Sequence, residues 1–417
     1  MRKLFTILVI LLAMNASAQW VTQYPYTASV GLRDIEFINN NTGWICGDGI
    51  ILKTTNKGTN WIQQVHPATD KNLFSIHPVD SNIVYCVGWF ETVLKTTNGG
   101  TNWIAIKNGT VGQGHSYNGV FFVNANTGWY AGTGNYIHKT TNGGLTFDSV
   151  YVLGDFKDIH FKDSNTGLIV GGGGSVYKTV NGGTIWNSIY LPPNNYGDFR
   201  KVSVINNQFC FVVEDGKRVY KSSNYGDTWD SIGYVTGADQ PYSCRFSSLQ
   251  TGWVVGTFGE IFKSTNGGAT WSFQYVNTSN IGWLRSLWFQ NDSTGWVVGG
   301  NTKLLFTTTG GSTFVNPIST ETPSKYSLSQ NYPNPYNPTT NIKFSIIKTE
   351  QVKLIVYDIQ GREVQTLVNE RLQPGTYEAA FDGSMLNSGV YFYKLIIRHG
   401  GSSTNTFSET KKMLLIK

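Results

Sequence analysis

Lys95-Thr-Thr-Asn-Gly-Gly-Thr-Asn-Trp103 is the phrase on which the fold turns, because the chain repeats it. Earlier stands Lys53-Thr-Thr-Asn-Lys-Gly-Thr-Asn-Trp61, and later Lys139-Thr-Thr-Asn-Gly-Gly-Leu-Thr-Phe147 and Lys178-Thr-Val-Asn-Gly-Gly-Thr-Ile-Trp186. Lys221-Ser-Ser-Asn-Tyr-Gly-Asp-Thr-Trp229 and Lys263-Ser-Thr-Asn-Gly-Gly-Ala-Thr-Trp271 follow, and a degenerate copy runs Phe306-Thr-Thr-Thr-Gly-Gly-Ser-Thr-Phe314. The closing aromatics are 42, 44, 39, 43, 42 and 43 residues apart. Such a period marks a repeat architecture before any single element is read.

A second phrase sits upstream of each closing aromatic: Thr42-Gly-Trp44, Thr127-Gly-Trp129, Thr166-Gly-Leu168, Thr251-Gly-Trp253 and Thr294-Gly-Trp296, with weaker forms at Val84-Tyr85 and Gln208-Phe209. Before it runs an alternating segment such as Leu32-Arg-Asp-Ile-Glu-Phe37. Each unit reads as four short strands joined by Gly-rich turns. In the Thr-x-Asn-x-Gly turn, hydroxyl and amide oxygens accept backbone N–H groups and glycine supplies positive φ. Four antiparallel strands per unit of this length make a β-propeller blade, and seven units predict a closed seven-bladed ring.

Composition agrees. Only 14% of the 417 residues are charged, against about 25% in an ordinary soluble chain. That is too few for long exposed helices or for a disordered chain. The net charge of +6 points to no nucleic-acid partner once it is divided. Residues 19–318 hold 19 basic and 18 acidic side chains, and residues 319–417 hold 11 and 8.

The amino terminus has the order of a signal peptide: Arg2 and Lys3, an apolar stretch Leu4 to Ala13, then Ala16-Ser17-Ala18. Residues 1–18 are therefore expected to be removed, and no later apolar run reaches membrane-spanning length. Export permits disulfides. Cys46 and Cys86 lie on the same strand of consecutive repeats and are the first pair to test; the alternative is four buried thiols, with Cys210 and Cys244. No cysteine or histidine spacing indicates a metal site, and no cofactor is expected. His77 and His160 share one column in non-adjacent blades and read as isolated, satisfied side chains, like His66, His115, His138 and His399.

The repeated turn resembles the Asp-box, Ser/Thr-x-Asp-x-Gly-x-Thr-Trp, with Asn for Asp in six copies. The Lys-Thr-Thr-Asn-Gly-Gly wording with Thr-Gly-Trp upstream is similar to the seven-bladed propeller family of the photosystem II assembly and stability factor, over about residues 30–318. That resemblance implies the fold and a protein-contacting, arginine-rich face. It is weak on chemistry, since Asp-box propellers include enzymes, receptors and scaffolds. Sialidases of this type carry an Arg-Ile-Pro phrase that is missing here, and no Tyr–Glu pair can be assigned. The Asp-box enzymes that hydrolyse β-glucans use a carboxylate pair that the scattered acids do not supply. A non-enzymatic module binding protein or glycan is expected. The alternative is an extracellular glycoside hydrolase or sialidase-like enzyme.

Aligned innermost strands give one suggestive column: Arg33, Phe74, Asn118, Lys157, Arg200, Tyr242 and Arg285. Its four basic members, Arg33, Lys157, Arg200 and Arg285, are the candidate ligand-binding residues at one channel mouth.

Composition changes after Phe314. Residues 19–316 are assigned to the propeller, 317–325 to a Pro/Ser/Thr linker, and 326–417 to a small immunoglobulin-like β-sandwich. Leu328-Ser-Gln-Asn-Tyr-Pro-Asn-Pro-Tyr-Asn-Pro338, Val356-Tyr-Asp-Ile-Gln-Gly-Arg362, Leu386-Asn-Ser-Gly-Val-Tyr391 and Lys411-Lys-Met-Leu-Leu-Ile-Lys417 resemble the type A sorting domain of the type IX secretion system. The resemblance implies handling by the outer-membrane translocon and a sorting peptidase, with Gly389, Tyr391, Lys411 and Lys412 in the sorting signal, and a secreted or surface location reached through the periplasm. Of the 13 tryptophans, nine fall in the two repeated phrases, and Trp20 echoes a closing aromatic; Trp89, Trp283 and Trp288 stand outside.

Overall fold

The computed structural model describes residues 20–23, 29–109, 114–191, 197–274, 282–311, 315–319, 321–383, 386–398 and 406–417. The expected signal peptide (1–18), Phe314 and His399 lie outside the described residues. The rest is all-β, in two compact units: Gln19–Gly311, and a second unit whose body begins at Ser312.

The first unit is seven four-stranded antiparallel sheets. Blade 1 runs Leu32–Phe37, Gly43–Gly47, Ile50–Thr54 and Ile62–Gln63 from the inside out, and the next five follow in chain order. Second strands such as Gly43–Gly47 are buried along their whole length. Their terminal glycines are required by close approach: a Cβ on Gly132 would lie 1.8 Å from the Ser116 carbonyl oxygen.

The repeated turn folds on one hydroxyl. Thr96 Oγ1 accepts from the backbone N–H groups of Asn98 (3.3 Å) and Gly100 (2.9 Å) and donates to Asn98 Oδ1 (3.0 Å). Asn98 Oδ1 in turn accepts the Asn102 N–H at 2.8 Å. Gly99 and Gly100 have φ of +65° and +96°, which side chains with a Cβ rarely adopt.

The other repeated residues fasten blade to blade. Lys53 Nζ lies 5.3 Å from the Trp44 ring of its own blade and donates to the Gly99 carbonyl in the next blade's turn at 2.6 Å. Lys95 does the same with Tyr85 and Gly143. The Thr-Gly-Trp aromatic stacks on the last innermost-strand Phe of the following blade: Tyr85 on Phe122, Trp129 on Phe161, Trp253 on Phe289 and, in blade 5, Phe211 rather than the expected Phe209 on Phe246, at centroid distances of 3.4–3.8 Å. Trp296 on Phe37 (4.5 Å) carries the same contact from blade 7 to blade 1. Such pairs are each worth about 0.5–1.5 kcal/mol beyond burial.

Blade 7 is composite. Leu284–Phe289, Gly295–Gly299 and Leu304–Thr307 supply three strands, and Val21–Gln23 from the amino terminus supplies the fourth. Val21 pairs with Phe306 and Gln23 with Leu304. Trp20, 1% exposed, packs edge-on to Phe289 at 5.9 Å, as Trp186 packs on Phe161. The amino terminus therefore closes the ring, and Trp20 fills the closing-aromatic place in the last blade.

In the second unit two four-stranded sheets form a sandwich. One holds Ser327–Leu328, Thr339–Ile346, Gly375–Asp382 and Val315–Ser319; the other holds Glu363–Leu372, Glu350–Tyr357, Gly389–Arg398 and Thr406–Leu415. Ile342, Phe344, Leu354, Val356, Tyr393 and Leu395 fill its core. Residues 317–319, expected in the linker, and 315–316, expected in the propeller, instead pair with Gly375–Asp382. Pro317 is tolerated because Val315–Ser319 is an edge strand.

All four cysteines are free and buried, so the Cys46–Cys86 disulfide is not formed. The two thiols are neighbours all the same: burial, and then Cys86, push the Cys46 thiol well up. Burial raises Cys210 and Cys244 to about 12.

Candidate functional site

Every innermost strand of the propeller carries a register irregularity just after its first residue, and the column read from the sequence falls on it. A β-bulge bends the strand and re-aims a side chain. Arg33, Phe74, Asn118, Lys157, Tyr242 and Arg285 are the extra residues of single bulges, and Arg200 shares its bulge with Lys201.

Five consecutive blades then build an arc. The Arg200 guanidinium (blade 5) lies 4.4 Å from the Tyr242 ring centroid (blade 6). Arg285 (blade 7) lies 5.6 Å from Tyr242 on the other side and 5.2 Å from Trp283. Arg33 (blade 1) stands over Phe74 (blade 2) at 5.0 Å, and Phe74 meets Trp89 edge-on at 6.1 Å. Trp283 and Trp89 are 48% and 39% exposed, so two of the three tryptophans outside the repeat flank the arc. Cation–π contacts hold guanidinium planes against rings and leave their edges free to donate.

The ring is less basic than its column implied. Arg33 Nε donates to Asp48 Oδ1 at 2.7 Å, Lys157 pairs with Asp155 at 2.5 Å, and Arg200 lies 4.0 Å from Asp198. These carboxylates come from loops, where a strand alignment cannot see them. Arg285 has no carboxylate within ion-pair distance among the described residues. Burial, and then the charge of Arg33, lower its pKa. Arg285 feels the charges of both Arg33 and Arg200, whereas Lys157 makes none of the ring contacts of the arc.

Below the mouth the channel is charged, which the sequence reading missed. Lys201 (blade 5) lies 3.4 Å from Asp34 (blade 1) and 3.6 Å from Asp158 (blade 4). Asp34 also accepts from Ser286 Oγ at 2.7 Å and from the Ile76 N–H at 3.2 Å. Burial opposes the Lys201 charge, but Asp158 and Asp34 outweigh it and raise its pKa. His77 Nδ1 lies 3.2 Å from Glu36, and its Nε2 3.1 Å from the Phe122 carbonyl. His77 and His160 are both satisfied, as expected, but not isolated: Phe121 lies between them at 4.5 and 4.6 Å. Their shared column was the signal; Phe121, an apolar residue in the same column, was what joined them.

In the sandwich, Gly389 pairs with Leu415, Tyr391 with Met413, and Lys411 and Lys412 with Tyr393 and Phe392. The four residues expected to form the sorting signal therefore share one strand pair, with Thr406–Leu415 at the sheet edge. The Asn-Tyr-Pro-Asn-Pro-Tyr segment clasps that edge: Asn334 Oδ1 accepts the Leu414 N–H (2.9 Å), and the Tyr336 N–H donates to the Leu414 carbonyl (2.9 Å).

Comparison with known proteins follows the same division. A family model described as photosynthesis system II assembly factor YCF48 matches residues 12–118, 111–236 and 233–331. One described as secretion system C-terminal sorting domain matches residues 330–412. No curated protein matches. Among solved structures, YCF48 bound to D1 peptide is 18% identical, with 70% of this chain and 99% of that chain covered and a TM-score of 0.58. YCF48 from Cyanidioschyzon merolae is 17% identical over the same shares, also at 0.58. Virginiamycin B lyase from Staphylococcus aureus reaches 0.58 at 13% identity, covering 69% of this chain and 98% of that one. At these identities the likeness is one of fold, and a fold shared by a lyase and an assembly factor does not decide the chemistry.

Proposed function

The chain belongs to the propeller family of the photosystem II assembly factor YCF48 and ends in a type IX sorting domain, and from that premise we propose that it is an exported, non-catalytic module whose mouth captures an extended segment of an extracellular protein. The sorting domain marks an exported protein, secreted or held at the cell surface. No helix among the described residues is long and apolar enough to cross a membrane. A photosynthetic role is not carried over, because export takes the chain away from any such partner.

The arc Arg200–Tyr242–Arg285 with Arg33–Phe74 carries the proposal. Stacked guanidinium groups present fixed donors to carboxylates and backbone carbonyls, and the exposed Trp89 and Trp283 offer apolar anchors beside them. YCF48 solved with a bound peptide supports a peptide over a glycan as the ligand class. The channel's acids also support a non-catalytic reading. Asp34 and Asp158 are held by Lys201 and Glu36 is held by His77, so each of these acids already has a partner.

The test is capture of cell-surface proteins and peptide arrays by the mature protein, with bound material checked for cleavage. Arg33→Ala/Arg200→Ala/Arg285→Ala is expected to weaken capture at least about tenfold with unchanged folding. Equal capture by the triple variant would overturn the mouth assignment, and turnover of sialosides or β-glucans would overturn the non-catalytic reading.

A further inference from the structure

The propeller channel holds a second site, independent of the mouth. Its cavity, about 560 Å³ including open solvent, is lined by the innermost strands and not by the mouth column. The Asp34–Lys201–Asp158 bridge forms one level of its wall.

Arg245, from the blade 6 strand Pro241–Phe246, faces this cavity half-buried. Among the described residues it has no hydrogen bond or ion pair, although its charge is felt at Glu36 and His160. Glu36 (blade 1) holds His77 with one carboxylate oxygen and lies beyond ion-pair distance of Arg245. A guanidinium and a carboxylate thus line a common space without meeting. A half-buried guanidinium without a partner is costly, and a guest bearing both charges would pair with Arg245 and with the Glu36 oxygen that does not hold His77.

The wall between them fits the same guest. His77, Phe121 and His160 form a continuous run of tilted ring contacts across blades 2 to 4. The Tyr225 hydroxyl lies 2.9 Å from His160 Nδ1 and 3.1 Å from the His160 carbonyl oxygen, which holds the ring in place from blade 5. A second negative charge on the guest would meet Glu36, and a second positive charge would meet Arg245.

We propose that the channel binds a small α-amino-acid-type zwitterion, its carboxylate on Arg245, its ammonium on Glu36 and its side chain against the His77–Phe121–His160 rings. The mature full chain would be titrated calorimetrically with proteinogenic amino acids, and with acetate and methylamine as single-charge probes. At least one amino acid is expected to bind below about 1 mM, with both single-charge probes weaker. Arg245→Gln and Glu36→Gln are each expected to weaken it at least about tenfold, while the triple mouth variant leaves it unchanged. Should either variant fail to fold, the methyl ester and the N-acetyl form of the bound amino acid replace it against the unaltered protein, and both are expected to lose binding. No binding by any amino acid up to about 10 mM, acetate binding as tightly as the best amino acid, or undiminished binding in Arg245→Gln would each overturn the proposal.

Discussion

Thr140 shows how much one hydroxyl does in this protein. Its Oγ1 accepts the N–H groups of Asn142 (3.3 Å) and Gly144 (2.9 Å) and donates to Asn142 Oδ1 (3.0 Å), while the side chain is buried. Thr140→Val keeps the shape and leaves the Gly144 N–H unpaired, so a loss of about 1–3 kcal/mol is expected in denaturant unfolding. His160 is the residue to watch for pH dependence. Burial, and then the charges of His77 and Arg245, lower its pKa to about 3, against 6.5 for the free side chain; Glu36 opposes the shift. Between these values the unfolded chain binds the proton and the folded protein does not, so stability falls as pH drops below 6.5. The slope approaches one proton, about 1.4 kcal/mol per pH unit, and flattens below pH 3. Melting temperature against pH should decline less steeply for His160→Gln than for the parent; parallel curves would exclude His160 as the source. The turn was legible in the sequence because all its partners lie within a few residues. The environment of His160 was not, because Tyr225 and Arg245 come from other blades.

At the scale of elements, the innermost strand and its bulge matter most. A column of seven positions could be aligned by counting back from Thr-Gly-Trp, and the structure places all seven at equivalent irregularities. Counting could not show that Asp48, Asp155 and Asp198 reach three of the four basic members. The closing strand is the other telling element. Val21–Gln23 covers the outer edge of Leu304–Thr307, and Trp20 is buried against Phe289. A chain beginning at Gly31 would lose both, and a loss of at least about 3–5 kcal/mol is expected from the Trp20 cavity alone. Trp20→Ala in the full-length chain should reproduce most of that loss in thermal unfolding. Unchanged melting in both would mean that the ring does not depend on this strand.

For the whole molecule, export and the proposed recognition fall to different units. The residues proposed as the sorting signal lie on the strand pair Gly389–Arg398 and Thr406–Leu415, which also carries Tyr393, Leu395, Ile397 and Met413 into the sandwich core. Deleting Thr406–Lys417 is expected to leave the protein in the periplasm, scored by fractionation. Lys411→Ala/Lys412→Ala tests the signal with the core intact, and normal export of the double variant would remove those lysines from it. Sequence alone determined the blade count, the turn chemistry, the scaffold role of most tryptophans and the sorting tail, because each is written in local phrases recurring in fixed order. Only the tertiary structure decided that the amino terminus completes blade 7, that Val315–Ser319 belongs to the sandwich, and that the four cysteines stay free. It alone brought Arg33, Arg200 and Arg285 beside aromatic rings and placed Arg245 and Glu36 on one cavity. The physical reason is closure. A propeller makes neighbours of blades 7 and 1 and turns every innermost strand toward one axis, so its sites are built from contacts that no stretch of sequence contains.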